Sequence, residues 1–362
     1  MQTGSDVMAQ STYPAMLSMK KVHRPVWTVA TLLLIILATQ WVTYQGSAYA
    51  TGSSQAAFSP AAPQGQDDPD LAPESQWVIG PHDALGMIAA GATLLDARTL
   101  AARKIWPASL NALPVHWQDF SYKAFQDRGV PLPAQEGAGI LHEMAVTSER
   151  PVIVLGDWAE GWGEDGRVVW TLRQWGYRQV FMVDGGHAAL EKARALGKSS
   201  TLVDGMAHQT SHQLPAQKAA QPAQDVAEVS TSQVRELLDH EDIVFLDVRE
   251  PREYAGATPY GESRGGHLPG AVNVWFKAFL SEEGTLRSAS EVHNILVRAG
   301  ALDASSAQES PMIVVYGSGG FRSAWVAGVL SHYGYDVRHY AGSMWQWSDR
   351  PWFWYPLVTA SR

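Results

Sequence analysis

Five short motifs occur twice in this chain in the same order, and that duplication limits its possible folds more than any other feature. Thr93-Leu94-Leu95-Asp96-Ala97-Arg98 is matched by Val244-Phe245-Leu246-Asp247-Val248-Arg249, each an apolar run ending in Asp-x-Arg. Trp106-Pro107-Ala108-Ser109-Leu110-Asn111 is matched by Leu268-Pro269-Gly270-Ala271-Val272-Asn273. Val152–Gly156 pairs with Ile313–Gly317, Trp175-Gly176-Tyr177 with Tyr333-Gly334-Tyr335, and Val183–Gly186 with Tyr340–Ser343. Five ordered anchors with small offset changes mean two copies of one domain.

Within each copy, short apolar strands alternate with helical segments. In the second, Ser230 to Leu238 reads as a helix, with Ser230 as N-cap and Gln233 completing a capping box. Ile243 to Leu246 reads as a strand, Ser290 to Ala299 as a helix, Met312 to Tyr316 as a buried strand and Arg322 to Tyr333 as a helix. This alternation predicts an α/β fold in two tandem domains, each a mostly parallel sheet flanked by helices. Ligands of such sheets bind at the carboxyl ends of the strands. The glycine-dense turn Gly317-Ser318-Gly319-Gly320 occupies one. A strand, a tight glycine loop and a helix N-terminus form a nest of backbone N–H groups suited to an anion.

Domain boundaries follow from composition. Residues 76–197 and 226–356 hold the two copies; 51–75 and 198–225, rich in Ala, Pro, Gln, Gly and Ser, read as linkers. Lys20, Lys21 and Arg24 precede an apolar run from Val26 to Ala38 that extends to Val42, and no further Lys or Arg appears until Arg98. Ala48-Tyr49-Ala50 has the small-x-small pattern of a cleavage site. Residues 1–50 are therefore a signal peptide or an uncleaved N-terminal anchor. Either places the rest of the chain outside the cytoplasm, in the periplasm of a bacterium, with membrane contact only through this segment.

With 46% hydrophobic and 17% charged residues the chain is globular, and its net charge of -9 argues against nucleic acid as a partner. It contains no cysteine, which excludes disulfides, thiolate metal sites and thiol catalysis together. His208 and His212 have helical i, i+4 spacing, but with no helix or carboxylate beside them they read as linker. Asp157, Glu160, Glu164 and Asp165 in the first copy's loop could hold a divalent cation; a solvated acidic loop is the plainer reading. No metal or cofactor is expected.

The motifs of the second copy together resemble the rhodanese (sulfurtransferase) family in its tandem form. Asp247-Val248-Arg249-Glu250-Pro251-Arg252-Glu253-Tyr254 is similar to that family's first signature. Gly266-His267-Leu268-Pro269-Gly270-Ala271-Val272-Asn273-Val274 is similar to its second. Val315-Tyr316-Gly317-Ser318-Gly319-Gly320-Phe321-Arg322-Ser323 resembles its active-site loop, Tyr-Cys-x-x-Gly-x-Arg-Ser. The resemblance is strong in the second copy and weak in the first. It implies a loop at 317–323 in which the cysteine that carries sulfur as a persulfide is replaced by Gly317. Residues Gly317, Ser318, Gly319, Gly320, Phe321 and Arg322 are then an anion-binding site with no catalytic residue, and Asp247, Arg249 and His267 support it by ordering the surrounding loops. A serine hydroxyl cannot form a persulfide, so Ser318 does not replace the thiol.

Counting back from the helix end at Trp175-Gly176, Glu164 stands in the first copy where the second has Arg322. The first domain thus reads as degenerate and structural. Arg264 is a candidate for added charge near the second pocket. The aromatic C-terminal stretch Met344–Tyr355 either seals the core or offers a patch to a protein partner. The expectation is a non-catalytic module that binds or senses a small sulfur oxyanion or docks a partner. A thiosulfate-type sulfurtransferase, as family membership alone would imply, is the competing one.

Overall fold

The computed structural model describes residues 76–108, 110–124, 127–200, 226–303 and 311–359. The apolar N-terminal segment, the first linker, His208, His212 and nearly all of the second linker lie outside them. Among the described residues no helix is long and apolar enough to cross a membrane.

The first copy contains strands β1 (Val78–Ile79), β2 (Thr93–Asp96), β3 (Leu113–Pro114), β4 (Val152–Leu155) and β5 (Val180–Val183). Its helices are α1 (Pro81–Ala89), α2 (Leu100–Ile105), α3 (Ala134–Glu143), α4 (Glu164–Gln174) and α5 (Gly186–Ser200). The second contains β6 (Ala227–Glu228), β7 (Ile243–Asp247), β8 (Val272–Asn273), β9 (Met312–Tyr316) and β10 (Val337–His339). Its helices are α6 (Thr231–Leu237), α7 (Pro251–Tyr254), α8 (Ala289–Arg298), α9 (Phe321–His332) and α10 (Ser343–Trp347). Strand order is β1-β5-β4-β2-β3 in one sheet and β6-β10-β9-β7-β8 in the other. Every ladder is parallel. The Asp-x-Arg motifs and the central apolar runs fall on matching strands, with Asp96 and Asp247 each the last residue of its strand. Trp106–Asn111 does not, because Pro114, three residues beyond Asn111, pairs with Asp96 as Asn273 pairs with Asp247.

Parallel strands covered on both faces carry continuous apolar runs, here Val152-Ile153-Val154-Leu155 and Ile313-Val314-Val315-Tyr316, all fully buried. Ser230 caps α6 in a capping box with Gln233, and Ser288 does the same for α8 with Glu291. One apolar core runs through both copies, while the outer face of each sheet has its own smaller core.

The shared core is built around α4 and α9, which lie against each other. Gly166 makes this approach possible: a β-carbon there would stand 2.4 Å from Trp325 Cα. The Trp325 ring meets Trp158 edge-on at 5.1 Å, and Gly328 of α9 lies under Trp77 of the first copy. Across the same seam Trp170 Nε1 donates to the Val226 carbonyl at 2.9 Å.

The C-terminal stretch divides. Trp347 is fully buried and donates from Nε1 to the Pro356 carbonyl, whereas Trp352, Phe353 and Trp354 are exposed. Arg264 does not charge the loop pocket. Its Nε donates to the Ser348 carbonyl and its Nη2 to those of Trp347, Arg350 and Tyr355, so it clamps the C-terminal segment.

The helix crossing can be tested with two glycine substitutions. Gly166→Ala must displace backbone and is expected to destabilise by about 1–3 kcal/mol. Gly86→Ala, inside α1 with open space around it, is expected to stabilise by about 0.5–1 kcal/mol. Urea midpoints of the two variants against wild type measure both.

Candidate functional site

Strand β9 ends at Tyr316, and the chain turns through Gly317, Ser318, Gly319 and Gly320 into α9. Gly320 is the N-cap with φ +84, a left-handed conformation that a β-carbon would strain, and its Cβ position is crowded by the Ala341 carbonyl. Gly317 N donates to Ser343 Oγ, while the carbonyls of Gly317 and Ser318 accept from the amides of Met344 and Trp345. The loop is thus fastened from outside by α10. Among the described residues, no oxygen accepts from the backbone N–H groups of Ser318, Gly319, Gly320, Phe321 or Arg322. Gly317 to Gly320 and Arg322 are buried and Phe321 is half-buried. A β-carbon at Gly317 would have ordinary contacts only, with Ser323 Oγ at 3.7 Å, Ser323 N at 3.8 Å and Arg322 Cβ at 3.9 Å. The position where the resemblance places the family's cysteine therefore has room for a β-carbon.

Arg322 differs from its expected part. Its guanidinium is buried in a two-pronged pair with Glu253, Nη1 to Oε2 at 2.7 Å and Nη2 to Oε1 at 2.8 Å. Ser318 Oγ donates to the same carboxylate at 2.7 Å. Burial opposes ionisation of Glu253, but Arg322 and the Ser318 hydroxyl hold its carboxyl below the usual range. Arg322 is a strut between loop and α7, with its charge already matched. Glu253 lies within the first signature, and no local pattern distinguishes it from the exposed acids around it. Phe321 packs against Trp117 and Trp345, and the Trp345 ring lies over Gly319, where a β-carbon would stand 2.2 Å from Cζ3.

The supporting residues order the neighbouring loops. Asp247 and Arg249 form a buried pair at 2.6 Å, and Arg249 Nη2 donates to the Gly266 carbonyl at 2.7 Å. His267 stacks on Tyr254 at 3.5 Å, its Nδ1 2.9 Å from the Tyr254 carbonyl. Beneath the loop Ser323 Oγ and His339 Nε2 lie 2.9 Å apart, and burial lowers the His339 pKa well below that of an ordinary histidine.

The first copy's loop is not uniformly solvated: Glu164 and Asp165 are buried. Gly163, the N-cap of α4, has the same φ of +84 as Gly320. Counted from these caps Asp165 matches Arg322; α9 is one residue longer than α4, which is why counting from the helix ends selects Glu164. The Asp165 carboxyl lies where a β-carbon at Gly156 would be, with Cγ 2.3 Å from that position. Trp158 Nε1 donates to it at 2.6 Å, and backbone amides at the start of α4 favour its charge. Burial nevertheless pushes its pKa up to about 7. Lys277 Nζ closes this loop from the second domain, donating to the carbonyls of Trp158 and Ala159 at 2.8 Å each. Among the described residues no group of His, Asp and Glu is arranged to hold a metal ion.

Arg167, one turn into α4, reaches the second domain's loop. It is fully buried, and its Nη1 lies 2.6 Å from the β-carbon position of Gly320. Nη2 donates to the Gly129 carbonyl and to Ser121 Oγ; Nη1 and Nε have no partner. Burial lowers its pKa to about 10, against the weaker pull of Glu228. The sequence contains no local sign of this contact, because the two ends lie 153 residues apart.

A tandem pair of parallel sheets, with a glycine loop feeding a helix at a strand end, defines a rhodanese-type fold. Residues 230–350 match the rhodanese-like domain family. The chain is 27% identical over 228 residues to a thiosulfate sulfurtransferase of Azotobacter vinelandii, covering 62% of this chain and 76% of that protein. It is 28% identical over 210 residues to the 3-mercaptopyruvate sulfurtransferase of Mus musculus, covering 57% of this chain and 65% of that one. Among solved structures, the 3-mercaptopyruvate sulfotransferase of Escherichia coli superposes with a TM-score of 0.55 at 20% identity, over 74% of this chain and 98% of that one. The anaerobic ergothioneine biosynthesis enzyme of Chlorobium limicola gives 0.59 at 16% identity, over 80% and 71%. Residues 230–350 thus form a rhodanese-like domain, the fold is that of the tandem rhodaneses, and the chain is similar to thiosulfate and 3-mercaptopyruvate sulfurtransferases while containing no cysteine.

Asp165 makes stability depend on pH in a stated direction. The folded protein keeps its proton up to about pH 7, whereas the unfolded chain releases it near 3.8. Its contribution is therefore fully present below pH 3.8 and is lost as pH rises through 7. Asp165→Asn is expected to be more stable than wild type at pH 8 and to flatten the fall in urea midpoint between pH 5 and pH 8.

Proposed function

We propose that this chain is an exported, non-catalytic rhodanese-fold protein that holds a compact sulfur oxyanion reversibly at the Gly317 loop. Sulfur transfer in this family needs a thiolate that becomes a persulfide, and the chain has no cysteine. The observation that carries the binding reading is the set of five amides, Ser318 to Arg322, without an acceptor beside a Gly317 position that has room for a β-carbon. Buried N–H groups are rarely left unpaired, and at a helix N-terminus they favour negative charge. The first loop supports the same reading, since a carboxyl occupies the corresponding place there. Export rests on the asymmetry of Lys20, Lys21 and Arg24 about the apolar run from Val26.

The vacancy predicts a gain of function. Wild type should transfer no sulfur from thiosulfate to cyanide above a Gly317→Ala control. Gly317→Cys should have a thiol that is alkylated faster than an ordinary cysteine at pH 6, and should gain the mass of one sulfur atom on incubation with thiosulfate. A normally titrating, inert thiol would show that the loop is not preorganised, and transfer by wild type would sink the non-catalytic reading. For export, a reporter enzyme active only outside the cytoplasm should be active when fused after residue 75 and silent when residues 20–42 are deleted.

A further inference from the structure

The Gly317 loop lacks a free cation of its own, because Arg322 is neutralised by Glu253. We propose that Arg167, from the first domain, is the cationic group of the second domain's anion site, so that the ligand is held at the seam by both halves of the chain. This rests on the reading of the loop as an anion cradle and adds to it the residue that supplies the charge.

Three observations converge. First, α9 has 12 residues, and the amides at and before its N-terminus are unpaired. Second, Arg167 is completely buried, and its Nη1 and Nε have no hydrogen-bond partner. Third, that Nη1 comes to the Gly320 end of the same loop. Glu228 is the acid whose charge Arg167 feels, yet no ion pair joins them among the described residues. The aromatic rings of Trp170 and Trp117 lie 5.0 and 5.8 Å from the guanidinium carbon and shield it without neutralising it. A buried, uncompensated guanidinium is costly, and a bound anion offsets that cost.

The repeat explains how the residue comes to be there. Arg167 and Trp325 each stand eight residues before the matching helix ends Trp175 and Tyr333. Each reaches the N-cap glycine of the other domain: Trp325 Cβ lies 2.8 Å from the β-carbon position of Gly163, as Arg167 does from that of Gly320 at 2.6 Å. The two contacts are alike in place, each a residue of one helix against the other domain's N-cap glycine, and opposite in chemistry. The first loop, with Asp165 as its own acid, receives an indole; the second, without an internal acid to spare, receives a cation. The enclosed geometry, with Trp345 over Gly319, restricts the ligand to a compact oxyanion.

The test uses sulfite as probe and the full chain, with tryptophan fluorescence and thermal shift as readouts. Wild type is expected to bind sulfite saturably, and Arg167→Met to weaken that binding by about 10- to 100-fold, the loss typical of one charged hydrogen bond. Arg167→Lys should keep part of the affinity. Equal binding by wild type and Arg167→Met would overturn the role of Arg167 and leave the cradle standing. No sulfite binding by wild type would overturn both. If Arg167→Met does not fold, crystals of wild type soaked in selenate decide the matter by anomalous scattering. Selenium within hydrogen-bonding range of Arg167 Nη1 and the α9 amides supports the assignment, and selenate found only elsewhere defeats it.

Discussion

The crossing of α4 over α9 is the constraint on which the rest of the molecule depends. Gly166 has no side chain, and the Trp325 backbone takes the space, so two helix N-termini and the loops that feed them are brought to one seam. Had the helices been held further apart, Arg167 could not reach Gly320, nor Trp325 reach Gly163. The two domains are thus packed loop to loop, and the shared apolar core makes that arrangement part of the fold. A substitution at the seam therefore acts on packing and on both loops together.

This geometry separates two properties that a thiol enzyme normally combines. Preorganised amides stabilise negative charge whether it sits on a sulfur atom or on a ligand oxygen. Only the first allows covalent capture. On the proposed reading, a loop with Gly317 at the thiol's position keeps the electrostatic part and lacks the covalent one, while Arg322, joined to Glu253, holds the loop's shape without adding net charge to it.

Much of this was legible in the sequence. The repeat marked both domains because strand ends and glycine turns are local patterns, and the capping box at Ser230 and Gln233 fell on the helix it foretold. The loop itself was legible for the same reason. What could not be read were pairings between distant segments: Arg322 with Glu253 across 69 residues, and Arg167 with the Gly320 loop across 153. Each such charge has several possible partners until the sheets are folded. The register of Asp165 was misjudged for a smaller reason, one extra residue in α9, which changes the match depending on which helix end is used for counting.

The Asp165 carboxyl at the Gly156 position has a consequence of its own. An acid tethered by its own backbone is present at a high effective concentration, so the first loop is occupied at every concentration of free anion. Only protonation changes the charge of that occupant, whereas an anion at the second loop, as proposed above, would come from solution. On that proposal the two halves of one duplicated fold answer to different variables, one to acidity and the other to solute.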